Sequence, residues 1–222
     1  MFIGRARELE FLQECYDSPR AELIVLYGRR RIGKTELLQQ FARDKAAVFY
    51  ACTECTDQEQ LARFSKRILQ TGLPAARFLT VFSDWETALR SIQDVPTEGK
   101  KILIIDEFPY MCASHPEMPS ILQNLWDHEL SRANVMLILC GSAMSFIENE
   151  LLAERNPLYG RATGIYKLLP LPFVSVREFF PQYSVEDQVA VYAILGGIPY
   201  YLIQFQSEKS LEENICKNIL QK

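Results

Sequence analysis

The chain has 222 residues, 48% hydrophobic and 23% charged, with a formal net charge of −4. That size and composition suit one large α/β domain, or a domain with an appendage, of ordinary globular type. The charge excludes a global basic field for nucleic acid, the charged N-terminal segment Met1–Glu8 excludes a secretory signal core, and the longest apolar run, Val135–Cys140, is too short to span a bilayer.

In chain order, Leu9, Phe11, Leu12 and Cys15 recur at helical spacing and predict a short amphipathic helix over 6–16. Leu23-Ile24-Val25-Leu26-Tyr27 is a continuous apolar run, as in a strand buried on both faces of a parallel sheet. Gly28-Arg29-Arg30-Arg31-Ile32-Gly33-Lys34-Thr35 follows and matches G-x-x-x-x-G-K-[ST], the phosphate-binding P-loop. Residues 35–43 read as the helix that such a loop opens. Ala46–Ala51 predicts a second strand, and residues 57–71 and 84–94 predict helices. Pro96–Lys100 is a loop. Lys101–Glu107 reads as a third strand ending in two acids. Ile121, Leu122, Leu125 and Trp126 share one face of a helix over 118–131. Val135–Cys140 is a fourth buried strand, ending at Gly141-Ser142, and Thr163–Leu169 a fifth. Strands alternating with helices predict a three-layer α/β fold with a parallel sheet covered on both sides. From about Val185 the pattern is wholly helical. A break at 180–184 divides the chain into a P-loop domain, 1–183, and a helical lid, 184–222.

A strand, a glycine-bounded loop and a helix N-terminus aim backbone N–H groups at one point, where a phosphate chain can sit. Gly28, Arg29, Arg30, Arg31, Ile32, Gly33, Lys34, Thr35 and Glu36 are the expected cradle for ATP. Lys34 is expected to reach the β- and γ-phosphates and the Thr35 hydroxyl to ligate Mg²⁺. Four apolar residues ending in Asp106 form the Walker B pattern: Asp106 is expected to hold Mg²⁺, and Glu107 to polarise the attacking water. The triple arginine admits either extra phosphate or partner contacts or a solvated loop beside an anion. Cys52 and Cys55 have zinc-knuckle spacing but no second pair, and His115 and His128 come with no nucleophile motif. The six cysteines show no disulfide-framework spacing, so reduced thiols in a cytoplasmic protein are expected.

Phe2-Ile3-Gly4-Arg5 with Glu8 resembles the motif that opens STAND-type and related AAA-like ATPases. Leu195-Gly196-Gly197-Ile198-Pro199 resembles the G-x-P motif of their helical lid. The P-loop, Asp106-Glu107-Phe108-Pro109-Tyr110 and Cys140-Gly141-Ser142 resemble the archaeal ATPase family, which is also widespread in bacteria. Arg161 with Thr163, Gly164, Leu168 and Pro170 matches its following segment, so the resemblance runs from about Phe2 to Leu202. It implies a five-stranded parallel sheet in the order 5-1-4-3-2. Adenine is expected between the Gly4-Arg5 segment and Pro199 and Ser142 at the γ-phosphate or the water; Arg161 admits either an arginine finger toward a neighbouring subunit or the solvated or salt-bridged place more usual for a loop arginine. Ala6 stands where the motif often carries an acid. Family members usually continue into a winged-helix segment and a C-terminal domain, nuclease-like in many, so an isolated ATPase module, a truncated gene or a fragment is expected.

The implied activity is Mg-ATP hydrolysis as a switch or motor step, with ATP and ADP as ligands and a homo-oligomer or protein partner possible. The alternatives are a nucleotide-dependent scaffold with little hydrolysis, or the ATPase part of a DNA-associated nuclease, which rests on family analogy alone. Tandem acids and the Gly197-Ile198-Pro199 lid argue against a small-molecule kinase, and the absence of N-K-x-D argues against a GTPase.

Overall fold

The computed structural model describes residues 2–221. Five strands form one sheet: β1 Glu22–Tyr27, β2 Ala47–Ala51, β3 Lys101–Asp106, β4 Val135–Gly141 and β5 Gly164–Lys167. Their order is β2-β3-β4-β1-β5 with every pairing parallel, which is the 5-1-4-3-2 order read from the other edge. β1 and β4, the most apolar runs, are buried along their whole lengths, whereas the edge strands β2 and β5 alternate. Register brings Ala51 opposite Asp106 and Tyr27 opposite both Gly141 and Lys167. The P-loop, the two acids and Ser142 therefore all leave the sheet at its C-terminal edge, where ligands bind in open α/β sheets.

The helices are α1 Ala6–Asp17, α2 Lys34–Ala42, α3 Asp57–Leu69, α4 Trp85–Arg90, α5 Phe108–Ser114, α6 Met118–His128, α7 Met144–Phe146, α8 Phe173–Phe179, α9 Val185–Leu195, α10 Pro199–Leu202 and α11 Leu211–Ile215. The period of two in the strands sorts the core into two layers. Leu23, Val25, Leu103, Ile105, Leu137 and Leu139 face Phe64, Ile68, Trp85, Phe108 and Leu122 of α3–α6. Ile24, Leu26, Ile102, Ile104, Met136 and Ile138 face Leu12, Leu37, Leu38 and Phe41 of α1 and α2. Each of these larger side chains contributes about 1.5–3 kcal/mol on burial.

The structure departs from the sequence reading in four places. The helix expected over 84–94 ends at Arg90 and continues as a 3-10 turn, Ser91–Asp94, and that over 118–131 ends at His128. α5 follows directly on β3, in a segment whose Pro109 and mixed apolar residues gave no helical period. A third hydrophobic cluster joins Val191, Leu202, Phe205 and Leu211 to Leu171, Val176 and Phe180, so α8 packs with the helices that follow the 180–184 break. The segment before α8 meets the turn after α9 where Leu171 N–H donates to the Gly197 carbonyl at 2.7 Å. A Cβ on Gly197 would stand 1.9 Å from the Leu171 oxygen, so only glycine admits this crossing.

Candidate phosphate-binding site

Gly33 sits in the left-handed region at φ 92° and caps α2, whose first residue is Lys34. That turn, which a Cβ would strain, directs the loop onto the helix N-terminus. Lys34 is 5% exposed, and its ammonium donates to the carbonyls of Gly28 at 2.9 Å and Arg29 at 3.2 Å. Its charge is therefore held inside the loop by neutral oxygens alone. The Thr35 hydroxyl donates to Asp106 Oδ2 at 2.6 Å. Asp106, 4% exposed at the end of β3, takes the Glu107 N–H on Oδ1 at 3.0 Å. Two hard oxygen donors thus meet at one point beside the loop, a donor set suited to Mg²⁺, which takes one or two protein oxygens and completes its shell with water and phosphate.

Glu107 is turned by a left-handed backbone, φ 53°, at the start of α5. Its Oε2 accepts from both the Ser142 N–H and the Ser142 hydroxyl, each at 3.0 Å. Buried thiols stand behind these acids. Burial first, then the Asp106 charge, pushes the Cys140 and Cys52 thiols well above their ordinary range, and burial pushes Cys112 up to about 12. All three stay protonated and neutral around the acids.

In front of the loop lies a cavity of about 880 Å³. Its polar wall is Arg5, Arg30, Arg31, Gly33, Lys34, Thr35, Glu36, Glu107 and Tyr110. Its apolar wall is Phe2, Ile3, Ile32, Phe179, Pro199, Tyr200 and Ile203. Four cations against two carboxylates make this a cationic pocket in a chain of net charge −4. Among the described residues the non-glycine positions with positive φ are Arg5 (69°), Arg31 (67°) and Glu107 (53°), and all three line the cavity. Backbone strain of this kind costs energy and concentrates at functional sites.

The structure brings together most, but not all, of the residues expected at the site. Arg5 is buried, pairs with Glu8 at 2.9 Å and donates to the Ile32 carbonyl at 3.0 Å, so it braces the P-loop as well as lining the cavity. Gly4 faces α8 instead: a Cβ there would meet Ser175 Oγ at 2.9 Å. Gly28 and Arg29 lie in the loop and Ser142 behind Glu107, outside the cavity wall. Arg161 is outside it too, held in a two-pronged pair with Asp127 of α6 at 2.8 and 2.7 Å. Sequence reasoning missed Tyr110, whose hydroxyl meets Arg30 at 3.2 Å, and the contacts of Arg31 with Tyr200 and Tyr201. The density of arginine in the loop was a signal, but its tyrosine partners lie 80 and 170 residues away. Among the described residues no three His, Cys, Asp or Glu side chains converge on a metal position, and no helix is long and apolar enough to cross a membrane.

An uncharacterized protein of Methanocaldococcus jannaschii is 37% identical over 202 residues, 91% of this chain and 43% of that protein, so the chain spans less than half of that relative. Among solved structures, a Walker-type ATPase of Pyrococcus abyssi superposes with a TM-score of 0.74 at 20% identity, over 96% of this chain and 70% of that one. The ORC2 protein of Aeropyrum pernix, in ADPNP–ADP complexes, superposes with a TM-score of 0.59 at 15% identity, over 90% of this chain and 60% of that one. At these identities the two structures speak to the fold, which is that of P-loop ATPases. The family model described as an ATPase domain predominantly from Archaea matches residues 2–205, and the chain belongs to that family.

Proposed function

We propose that this chain binds Mg-ATP in the cavity, hydrolyses it, and couples the reaction to movement of the helical lid. The observation that carries the reading is the convergence of a P-loop, four cationic side chains and the strand-end acid Glu107 on one cavity in an otherwise acidic chain, with Asp106 bonded to Thr35 of its wall. The nucleotide complexes of the structurally similar ORC2 protein are consistent with it.

The loop from Gly28 to Glu36 surrounds the phosphates with N–H groups, and Lys34 exchanges its carbonyl contacts for the β- and γ-phosphate oxygens. Thr35 and Asp106 hold Mg²⁺, which when bound neutralises charge on the phosphates. The base lies against the apolar wall between the Phe2–Arg5 segment and Pro199. Gly4 there shapes the backbone against α8, and Arg5 fixes that segment to the loop. Glu107 orients a water and accepts its proton as the oxygen attacks the terminal phosphorus, with ADP as leaving group. Ser142 holds the carboxylate in place and senses its position. The lid comprises residues 184–222 together with α8, which shares its hydrophobic cluster. An Arg161 finger toward a neighbouring copy requires release from Asp127, so it acts only where oligomerisation offers a better anion. The cytoplasm is the proposed location.

A second reading is a scaffold that binds ATP and scarcely hydrolyses it. The double hydrogen bond from Ser142 favours it, because two donors on Oε2 stabilise the charged carboxylate and make it a weaker base. Single-turnover hydrolysis, with protein in excess over Mg-ATP, separates the two. Release of one phosphate per bound ATP is expected; recovery of intact bound ATP overturns hydrolysis and establishes the scaffold.

A further inference from the structure

Two adjacent P-loop arginines are claimed by different parts of the molecule. Arg30 meets the Tyr110 hydroxyl of α5, on the sheet side. Arg31 turns the other way, toward the lid. Its guanidinium carbon stands 4.6 Å from the centre of the Tyr200 ring and 5.7 Å from that of Tyr201, and Nη1 donates to the Tyr201 hydroxyl at 3.2 Å. The two rings lie edge to face, 75° apart, forming an aromatic notch around the cation. Pro199 completes the seam, its ring 3.7 Å from the Cβ position of Gly33.

This clasp has an unusual charge balance. Among the described residues no carboxylate pairs with Arg31. Its partners are neutral rings and a neutral hydroxyl, so the full positive charge is left on the wall of the cavity that also holds Gly33 and Lys34. The left-handed backbone at Arg31, φ 67°, is what turns the side chain toward the lid. A guanidinium binds phosphate oxygens through charged, two-pronged hydrogen bonds, more strongly than it binds a ring face.

We propose that Arg31 is shared between lid and nucleotide, the Tyr200–Tyr201 notch competing with the phosphate chain of ATP for its guanidinium. Phosphate in the P-loop draws Arg31 off the lid and loosens α10, and departure of phosphate fastens it again. This rests on the ATP reading above, and it supplies the physical link between site and lid that the reading requires.

The test is calorimetric titration of the 222-residue chain with Mg-ATP, in the wild type and in Y200L, Y200F, R31M and the Y200L/R31M double variant. Removing the nearer ring loosens the hold on Arg31, leaving the Tyr201 contacts, so Y200L is expected to bind ATP about two- to fivefold more tightly, the size of one exposed cation–aromatic contact. Y200F keeps the ring face and is expected to match wild type. In the R31M background the Tyr200 change is expected to lose this gain and keep only its effect on the cavity wall, so the difference between the two backgrounds isolates the pair. Hydrogen exchange over residues 199–203 is expected to rise when ATP binds wild type, toward the level of Y200L. An equal effect of Y200L on ATP affinity with and without Arg31 overturns the competition. Absence of ATP binding to wild type overturns the functional reading along with it; ATP binding with no coupling between Arg31 and Tyr200 overturns the clasp alone.

Discussion

Replacing Glu107 with Gln tests the chemistry with little disturbance to the fold. The wild-type carboxylate takes two hydrogen bonds on one oxygen, from the Ser142 N–H and hydroxyl at 3.0 Å each. The carbonyl oxygen of glutamine accepts both, and the backbone turn at φ 53° is no harder for glutamine than for glutamate. Exchanging charge-assisted for neutral bonds at this half-buried position costs about 1 kcal/mol of stability. What glutamine lacks is a site for the proton of the attacking water. Loss of a general base costs about 100- to 10,000-fold in rate, or about 3–5 kcal/mol in the barrier. The assay is phosphate release in a single turnover, paired with calorimetric ATP affinity and a thermal melt. Turnover is expected to collapse while affinity stays within a few-fold and melting shifts slightly. Wild-type turnover in the variant removes Glu107 from the mechanism, and a large fall in melting temperature assigns it a structural role instead.

Three further outcomes follow from the packing and electrostatics. G197A places a Cβ 1.9 Å from the Leu171 oxygen, so backbone must shift and thermal unfolding is expected to show a loss of at least about 1–3 kcal/mol; an unchanged melting temperature contradicts the crossing. The folded chain keeps the Cys140 thiol protonated, whereas an unfolded thiol ionises near pH 8.5. Stability is therefore full below that pH and falls as pH rises past it; C140A is expected to flatten the alkaline side of a denaturation series, and identical slopes refute the assignment. Mass spectrometry after brief alkylation at pH 8 is expected to find Cys216 labelled and Cys52, Cys112 and Cys140 protected, and rapid labelling of Cys140 contradicts its burial.

The sheet was legible because its chemistry is local. Uninterrupted apolar runs such as Val135–Cys140 can only lie mid-sheet, and the P-loop carries its own turn, strand and helix in a few residues. The strand order came from family resemblance and agrees with the ladders. α5 was not legible, since Phe108-Pro109-Tyr110-Met111-Cys112 has no polar face and is helical because Phe108 and Met111 bury against the sheet. α8 was hidden by its shortness and its flanking prolines, and forms because Val176 meets the lid cluster. The strained backbones at Arg5, Arg31 and Glu107 have no sequence signal, because tertiary contacts impose them. The pairing of Arg161 with Asp127 and of Arg31 with Tyr200 joins residues far apart in the chain, a relation no periodicity encodes.

The central claim is that this cavity binds ATP through its P-loop. Lys34 is buried and donates to two neutral carbonyls, so its charge is available to a phosphate, and its removal takes the buried cation from the loop and leaves only the exposed arginines. Titration of Mg-ATP into wild-type and Lys34→Ala protein is the most direct measurement. Losing one partner of a buried charged hydrogen bond costs about 2–5 kcal/mol, so binding is expected in wild type and a loss of at least about 30-fold in the variant. Equal affinities in the two proteins would contradict the account.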